Sequence, residues 1–224
     1  MICLFKIGNS TDDIDKFVFN KIISSNAYPS PFRYCGFPKS ICTSVNNIAC
    51  HGIPDDRALM DGDIINIDIT VFYEGFHGDT SRTFLVGNVN ESGRYLVEHN
   101  QKALMNAINI CEPGKCFNEI GKEISEYAKK VNLRNVKAFI GHGIGEFFHG
   151  PPEVYHFEND INMDVMQPGM TFTIEPIFSE GSGVLELWED GWTTSTEDGS
   201  RTSQFEHTIL ITENGCEILT LDEK

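Results

Sequence analysis

The chain has 224 residues, of which 40% are hydrophobic and 22% are charged, and its formal net charge is −16. These proportions are typical of a folded globular protein with one domain or two small ones. The acidic balance argues against nucleic acid or an anionic membrane as a partner, because both attract basic patches.

Two further sequence features narrow the class of protein. No apolar run approaches the length of a membrane span, and the opening MICLF is too short for the core of a signal peptide. The seven cysteines are irregularly spaced and form no C-x-x-C pair. They predict reduced thiols packed as small hydrophobic side chains, and neither a disulfide framework nor a zinc finger.

In chain order, the first predicted element is a helix over about 11–25, because Ser10 followed by Asp13 resembles a capping box. The proline-rich stretch NAYPSPFRYCGFP predicts a loop, and a hairpin around Glu74-Gly75 follows. Helical spacing then gives helices near 92–110 and 116–131. The predicted strands are 63–73 and 79–87 in the hairpin, and later 137–141, 170–178, 183–188 and 204–212. This pattern predicts an α+β fold with a largely antiparallel sheet.

Three pairs of segments suggest an internal repeat. The matching segments begin at Gly8 and Gly114, at His51 and His149, and at Gly62 and Gly169, with offsets of 106, 98 and 107 residues. Their conserved order predicts two pseudo-symmetric α/β halves. A helical pattern precedes Gly114, but no comparable pattern precedes its counterpart Gly8. We therefore expect the first half to lack its leading helix and to leave some core surface uncovered.

Two acids lie on the hairpin. Alternation along DIINIDITVFY places Asp68 on the face opposite to the isoleucines. A two-residue loop puts Asp68 opposite Ser81 with Asp79 diagonal to it, whereas a slip of one pair puts Asp79 directly opposite. In either register two carboxylates converge, which favours either a shared proton or a bound cation.

The repeat adds two more acids, Glu175 in TFTIEPI and Glu206 in QFEHTILI, and GHGIGEFFHG adds His142 and His149. Carboxylates with one or two imidazoles suit Mn, Fe, Co or Zn, and bridging carboxylates hold two metals about 3.5–4 Å apart in several aminopeptidases. The H-E-x-x-H pattern is absent, which excludes a zincin.

Each of these residues taken singly has a simpler interpretation. A lone strand aspartate is usually solvated, and a lone histidine is usually structural. His77, His99, His156 and His207 are therefore assigned no role. A Cys50–His51 nucleophile and a phosphate site at a helix N-terminus beside HGIGE are weaker alternatives. Only the combination of acids and imidazoles supports a metal site.

Five motifs resemble those of type I methionine aminopeptidases of the pita-bread fold, above all the short eukaryotic and organelle-like members. They are FPKSICTSVNNIACHGIPDD, DGDIINIDITVFYEGFHGDTSRTFLVGNV, GHGIGEFFHG, TFTIEPI and QFEHTILI. The resemblance runs from about Gly8 to the C-terminus. It implies one catalytic domain over 1–224, without the family's N-terminal helix or zinc-finger extension, and with a curved antiparallel sheet covered by helices.

The resemblance also implies roles for twelve residues. The implied metal ligands are Asp68, Asp79, His142, Glu175 and Glu206, with Asp79 and Glu206 bridging two divalent ions of undetermined identity (Co, Mn, Fe or Zn). His51 and His149 match the two histidines that face the substrate. The implied methionine pocket is lined by Tyr34, Phe37, Cys42, Phe148 and Trp192.

The activity implied by the resemblance is removal of the initiator methionine from nascent proteins, with a small second residue preferred. In the expected mechanism a metal-bridging hydroxide would attack the first peptide bond. Glu175 would relay the proton, His149 would stabilise the oxyanion and His51 would contact the scissile amide. We expect a monomer with no nucleic-acid or membrane partner, and a transient ribosome contact stays open. The expected compartment is the cytoplasm, or a mitochondrion or plastid if an upstream transit peptide is missing.

Three rival hypotheses remain at this point. The first is an enzyme of the same fold with other substrates, such as a proline-specific aminopeptidase or a prolidase, although these usually carry a further N-terminal domain. The second is a non-catalytic binding protein, which is disfavoured because all five implied ligand positions are filled. The third is an inactive fragment of an enzyme.

Overall fold

The computed structural model describes residues 6–161 and 163–221. Within these ranges three α-helices form, α1 (Thr11–Ser24), α2 (Glu91–Asn109) and α3 (Asn118–Lys130). The capping box is present, because the Ser10 hydroxyl accepts the Asp13 N–H at 3.1 Å and the Asp13 carboxylate accepts the Ser10 N–H at 3.2 Å. The three predicted helices are confirmed to within one or two residues at each end. None of the described helices is long and apolar enough to cross a membrane.

The strands of the described chain form one large sheet and one small one. They are β1 (Tyr28–Pro29), β2 (Cys42–Val45), β3 (Ile48–Cys50), β4 (Ile64–Tyr73), β5 (Phe76–Leu85), β6 (Arg134–Asn135), β7 (Gly141–Gly143), β8 (Gly150–Val154), β9 (Thr171–Ile174), β10 (Ile177–Ser179), β11 (Leu185–Leu187), β12 (Thr194–Thr196), β13 (Thr202–Thr212) and β14 (Gly215–Ile218). The large sheet runs β1-β4-β5-β13-β9-β7-β8, and the small sheet runs β11-β12-β3. Every strand pair described is antiparallel, which confirms the predicted α+β class.

The hairpin of β4 and β5 turns at Glu74-Gly75, where both residues have positive φ, 49° and 96°. This left-handed geometry matches the right-handed twist of the flanking strands. Asp68 pairs with Ser81 and Thr70 pairs with Asp79, so the first of the two predicted registers is confirmed. Strand β5 begins at Phe76, three residues before the predicted start.

Two predicted strands differ from the structure. The strand expected at 170–178 is split into β9 and β10, because Pro176 has no N–H to donate to a neighbouring strand. The strand predicted at 137–141 is wrong apart from Gly141. Its residues Ala138, Phe139 and Ile140 line a cavity instead of pairing.

The internal repeat is visible in the backbone hydrogen bonds. The Gly8 N–H donates to the Leu59 carbonyl in the first half, and the Gly114 N–H donates to the Met166 carbonyl in the second. In the same way, the Gly62 N–H donates to Val86 and the Gly169 N–H donates to Ile211, and all four distances are 2.8–2.9 Å. The four glycines share a left-handed conformation with φ between 86° and 95°. Two of the three matched segment pairs are therefore structurally equivalent.

The core lies on one face of the large sheet, and the opposite face forms the site. In β4, Ile65 and Ile67 pack with Ile14 of α1, while Asp68 points away from them. In β13, Phe205 and Ile209 belong to the core under α2 and α3, and Glu206 lies between them on the other face. The two-residue period of each strand thus separates the core from the acids.

Candidate active site

A cavity of about 390 Å³, on the face of the sheet opposite to the core, brings together every site residue expected from the sequence. These are Tyr34, Phe37, Cys42, His51, Asp68, Asp79, His142, Phe148, His149, Glu175, Trp192 and Glu206. A larger cleft of about 1030 Å³ lies beside Phe76 and Phe147 and contains none of them. The larger cleft is therefore not the predicted site, because the acids and histidines expected from the sequence line only the smaller cavity.

The register of four strands places the acids in neighbouring rows. One row runs from Asp68 through Ser81 to Glu206, across β4, β5 and β13. Asp79 lies in the adjacent row, where its N–H donates to the Thr208 hydroxyl at 3.1 Å. Ile174, the last residue of β9, pairs with His207 of β13. Glu175 follows Ile174, and Glu206 precedes His207, so these two acids lie close to the same strand pair. Three strands, β4, β5 and β13, therefore supply one carboxylate each, and the fourth, Glu175, lies directly after β9.

Ligand atoms of Asp79, His142 and Glu206 all lie within 4.8 Å of one another, which is a geometry that could hold a metal ion. His142 Nε2 is 3.9 Å from Asp79 Oδ2 and 3.7 Å from Glu175 Oε1. The Asp68 carboxylate lies close enough to Asp79 to raise the pKa of that side chain, and both residues line the same cavity. All five expected ligand positions therefore line the same cavity.

Neighbouring polar groups fix the direction of the carboxylates. The Thr70 hydroxyl donates to Asp79 Oδ1 at 2.8 Å, and the Thr173 hydroxyl donates to Glu175 Oε1 at 2.8 Å. Gln204 Nε2 donates to the other oxygen of Glu175 at 3.3 Å. Hydrogen bonds of this kind hold ligand side chains in one orientation before any ion arrives.

Burial raises the pKa of all four acids in the cluster. It raises the pKa of Asp68 to about 6 and that of Glu175 to about 8, and it raises the pKa values of Asp79 and Glu206 well above their ordinary range. Repulsion from neighbouring carboxylates adds to the increases for Asp79, Glu175 and Glu206. No lysine or arginine lines the cavity in the described part of the chain, so the protein itself supplies no fixed positive charge.

The donor set fits a divalent metal. The Nδ1 of His142 lies 3.1 Å from the carbonyl oxygen of Gly143. Since a carbonyl can only accept, Nδ1 carries the proton and Nε2 keeps its lone pair on the side of the acids. One imidazole lone pair among four clustered carboxylates is a ligand set of the type used for Mn, Fe, Co and Zn.

Glu175 is also held through its backbone. Its N–H donates to His156 Nε2 at 3.2 Å, and its carbonyl oxygen accepts from Gln204 Nε2 at 3.2 Å. Burial lowers the pKa of His156 to about 3, which keeps the ring neutral and able to accept. His156 was expected to be structural, and the structure shows that it anchors the residue at the break between β9 and β10.

The other wall of the cavity is aromatic. Phe37, only 2% exposed, packs edge-on against Trp192 with ring centroids 5.1 Å apart. Tyr34 packs against Phe148 at 4.9 Å, and Cys42 is buried beside Asp68, its partner in β4. An apolar wall facing a cluster of acids suits a ligand with one hydrophobic side chain and one polar end.

Two histidines of the cavity contact the aromatic wall, His149 at Tyr34 and His51 at Trp192. His51 follows β3 in a left-handed conformation with φ 55°, and His149 lies between β7 and β8. The sequence reasoning missed Phe139, which contacts the His51 ring at 5.1 Å, and also Pro31 and Ile140. Pro31 lies in a predicted loop, whereas Phe139 and Ile140 lie in a segment whose sequence predicted a strand, and no motif marked the three residues.

The chain belongs to metallopeptidase family M24, whose family model matches residues 1–213. The mitochondrial methionine aminopeptidase 1D of Homo sapiens is 54% identical over 215 residues, and the chloroplastic methionine aminopeptidase 1B of Arabidopsis thaliana is 52% identical over 217 residues. The crystal structure of the methionine aminopeptidase from Rickettsia prowazekii is 43% identical, with a TM-score of 0.95, over 97% of this chain and 88% of that one. The resemblance to these enzymes and the pita-bread fold are confirmed.

The two curated relatives are longer than this chain. The matched region covers 96% of this chain and 64% of the human protein, and 97% of this chain and 58% of the Arabidopsis protein. The chain therefore spans about three fifths of their length.

Proposed function

We propose that this chain is the catalytic region of a metal-dependent methionyl aminopeptidase, which removes the first methionine from polypeptides. The observation that carries the proposal is the cavity itself, where five clustered metal-ligand candidates face an apolar aromatic wall within about 390 Å³. Relatives named as methionine aminopeptidases support the substrate. A net charge of −16 suits a cationic peptide N-terminus better than an RNA surface.

Asp68, Asp79, His142, Glu175 and Glu206 would hold two divalent ions, with Co, Mn, Fe and Zn as the candidates. Such ions, when bound, act as Lewis acids and lower the pKa of water. The count of two rests on the number of carboxylates, since one ion would leave part of this buried acidic cluster without compensating charge.

The remaining residues bind the peptide and move protons. The methionine side chain would enter the space between Tyr34, Phe37 and Trp192, where the thioether contacts aromatic rings. His51 would hydrogen-bond the scissile amide. Glu175 would accept a proton from the attacking water and pass it to the leaving amine, which balances the hydrolysis.

His149 would donate from its ring to the oxygen of the tetrahedral intermediate. Burial, together with the neighbouring histidines His142 and His51, lowers its pKa to about 4, so the ring is neutral at physiological pH. We further propose that crowding beyond the first residue favours a small second residue. Relatives named as mitochondrial and chloroplastic favour an organelle over the cytoplasm as the compartment of the full protein.

A peptide panel with Mn²⁺ or Co²⁺ tests the activity. We expect methionine release from Met-Ala-Ser to be at least about tenfold faster than from Met-Lys-Ser, because a hydrophobic or crowded site discriminates by roughly 10–200-fold per group. Faster cleavage of an Xaa-Pro peptide would instead identify a proline-specific enzyme.

Calorimetric titration of the metal-free protein with Mn²⁺ separates an enzyme from a binding module. Two equivalents bound, together with methionine release, support the proposal. If no heat and no thermal stabilisation accompany the titration, the chain is a binding protein that uses the fold without the metal chemistry.

A further inference from the structure

Two neighbouring histidines of the cavity have different hydrogen-bond partners on Nδ1. The rings of His142 and His149 are 4.3 Å apart. His142 Nδ1 faces the carbonyl oxygen of Gly143, and His149 Nδ1 lies 2.9 Å from the hydroxyl of Tyr34. The first partner can only accept a hydrogen bond, whereas the second can donate one. The partner on Nδ1 decides which nitrogen carries the proton in a neutral imidazole.

We propose that Tyr34 is a positioning residue, whose hydroxyl donates to His149 Nδ1 and thereby keeps the His149 proton on Nε2. The two histidines then hold opposite tautomers. His142 presents a lone pair from Nε2, as a metal ligand must, and His149 presents an N–H, as a donor to an oxyanion must. This inference rests on the proposed function for its catalytic meaning, while the tautomer itself can be measured independently.

The surroundings of His149 favour the same assignment. Four carboxyl groups line the same cavity, and carboxylate oxygens accept hydrogen bonds. A ring N–H is therefore the form of His149 that suits an acid-lined cavity. Among the described residues, the Tyr34 hydroxyl has His149 as its one hydrogen-bond partner, so its proton has no competing protein acceptor. Burial also raises the pKa of Tyr34, which keeps the hydroxyl protonated.

The backbone around Tyr34 is held in an unusual conformation. Arg33 and Cys35, on either side, both have positive φ, 67° and 46°. Residues other than glycine rarely adopt this region, and such strain persists where surrounding contacts impose it. The turn is closed by the Arg33 N–H donating to Phe37 oxygen and the Phe37 N–H donating to Tyr34 oxygen, both at 2.9 Å. The strained turn fixes the direction in which the Tyr34 side chain leaves the backbone.

Tyr34→Phe tests the proposal, because it removes one oxygen and keeps the ring that packs against Phe148. Tyr95→Phe is the matched control. The Tyr95 hydroxyl also makes one hydrogen bond, to the Val131 carbonyl at 3.2 Å, and the two tyrosines have similar exposures of 39% and 42%. Tyr95 lies on α2 and outside the cavity. Thermal unfolding of both variants checks that the fold is retained.

The first readout is the tautomer of His149 in the Zn²⁺-loaded protein, which is diamagnetic. Long-range ¹H–¹⁵N correlation spectra show which ring nitrogen carries the proton, and His149→Gln identifies the signal by its loss. We expect a single Nε2–H form in the wild type and in Tyr95→Phe, and a mixture of tautomers in Tyr34→Phe. A wild-type ring protonated on Nδ1, or an unchanged spectrum in Tyr34→Phe, would overturn the assignment.

The second readout is the kinetics of methionine release from Met-Ala-Ser. We expect kcat to fall about tenfold in Tyr34→Phe, while KM stays within twofold of the wild type. This fall is smaller than the roughly 10²–10³-fold loss of kcat that follows complete removal of one oxyanion donor. A raised KM at unchanged kcat would show that Tyr34 only lines the pocket. If the wild type released no methionine, the proposed function would fail, and the spectra would still decide the tautomer.

Discussion

The cavity has two parts that are built differently. The acidic floor, formed by Asp68, Asp79, His142, Glu175 and Glu206, lies on strands or at the end of one. The aromatic rim, formed by Tyr34, Phe37, His51, Phe148, His149 and Trp192, lies on the connections between strands. Strand register fixes the floor, whereas contacts between distant segments fix the rim. Tyr34 and His149, for example, are separated by 115 residues in the chain.

The difference suggests a division of labour. Ligand atoms of a metal site need positions defined to a fraction of an ångström, and paired strands supply that rigidity. The rim must admit a side chain and a peptide, and loops held by aromatic contacts can be varied without disturbing the sheet. Changes in the floor should therefore abolish metal binding and chemistry. Changes in the rim, apart from the Tyr34–His149 pair, should alter substrate binding.

The largest effect is expected from Glu206→Gln, which removes one charge from the floor. We expect the loss of at least one Mn²⁺ equivalent by calorimetry, and a fall in methionine release beyond the roughly 10–100-fold typical of an outer-shell partner. Glu206 is 3% exposed, so the uncharged side chain should leave the metal-free fold as stable as before or more stable.

Glu217→Gln, an exposed position on β14, is the control for this variant and should behave as the wild type. Two equivalents of Mn²⁺ bound by Glu206→Gln with unchanged affinity would show that the floor is not the metal site.

The second prediction concerns the pH dependence of the metal-free protein. Glu175, with its pKa raised to about 8, keeps a proton in the folded state that the unfolded chain releases near pH 4.5. Since the folded state binds more protons, stability falls as pH rises, by about 1.4 kcal/mol per pH unit for each retained proton. Asp79 and Glu206 act in the same direction.

The useful window is pH 6.5–8, because the histidines oppose the trend at lower pH. Burial lowers the pKa of His149 to about 4 and that of His156 to about 3, so these rings destabilise the fold below the ordinary histidine pKa. Urea unfolding of the metal-free protein should show the decline, and saturating Mn²⁺ should remove it by displacing the protons. A metal-free stability that rises between pH 6.5 and 8 would contradict the assignment of protonated acids in the floor.

The smallest effect is expected in the rim, from Phe37→Leu. This change shortens the wall that packs on Trp192 and should raise KM for Met-Ala-Ser about tenfold with kcat nearly unchanged, as for the loss of one or two methylene contacts. Phe17→Leu, at an exposed position of α1, is the control. A fall in kcat at constant KM would contradict this prediction, because it would show that Phe37 affects the chemical step and not the binding of the methionine side chain.

Sequence patterns predicted the floor well because it obeys short-range rules. Alternation along β4 and β13 separated Asp68 and Glu206 from the core residues on either side. The two-residue turn at Glu74-Gly75 set the register that pairs Asp68 with Ser81. The break at Pro176 was not predicted, although proline marked it, because the apolar run hid the division into β9 and β10.

The rim was located from the family resemblance and not from any period in the sequence. Tyr34, Phe148 and Trp192 lie in segments where no local rule gives the direction of a side chain. Phe139 was missed for a different reason, because its segment resembles a strand in sequence but lines the cavity in the structure.

By itself, the sequence determined the fold class, the internal repeat and the set of acids and histidines, because local periodicity and turn chemistry act over a few residues. Only the tertiary structure decided how these groups face one another. It showed that His156 anchors Glu175 and that Tyr34 contacts His149. Such contacts join residues far apart in the chain, and their geometry depends on how whole strands and loops pack.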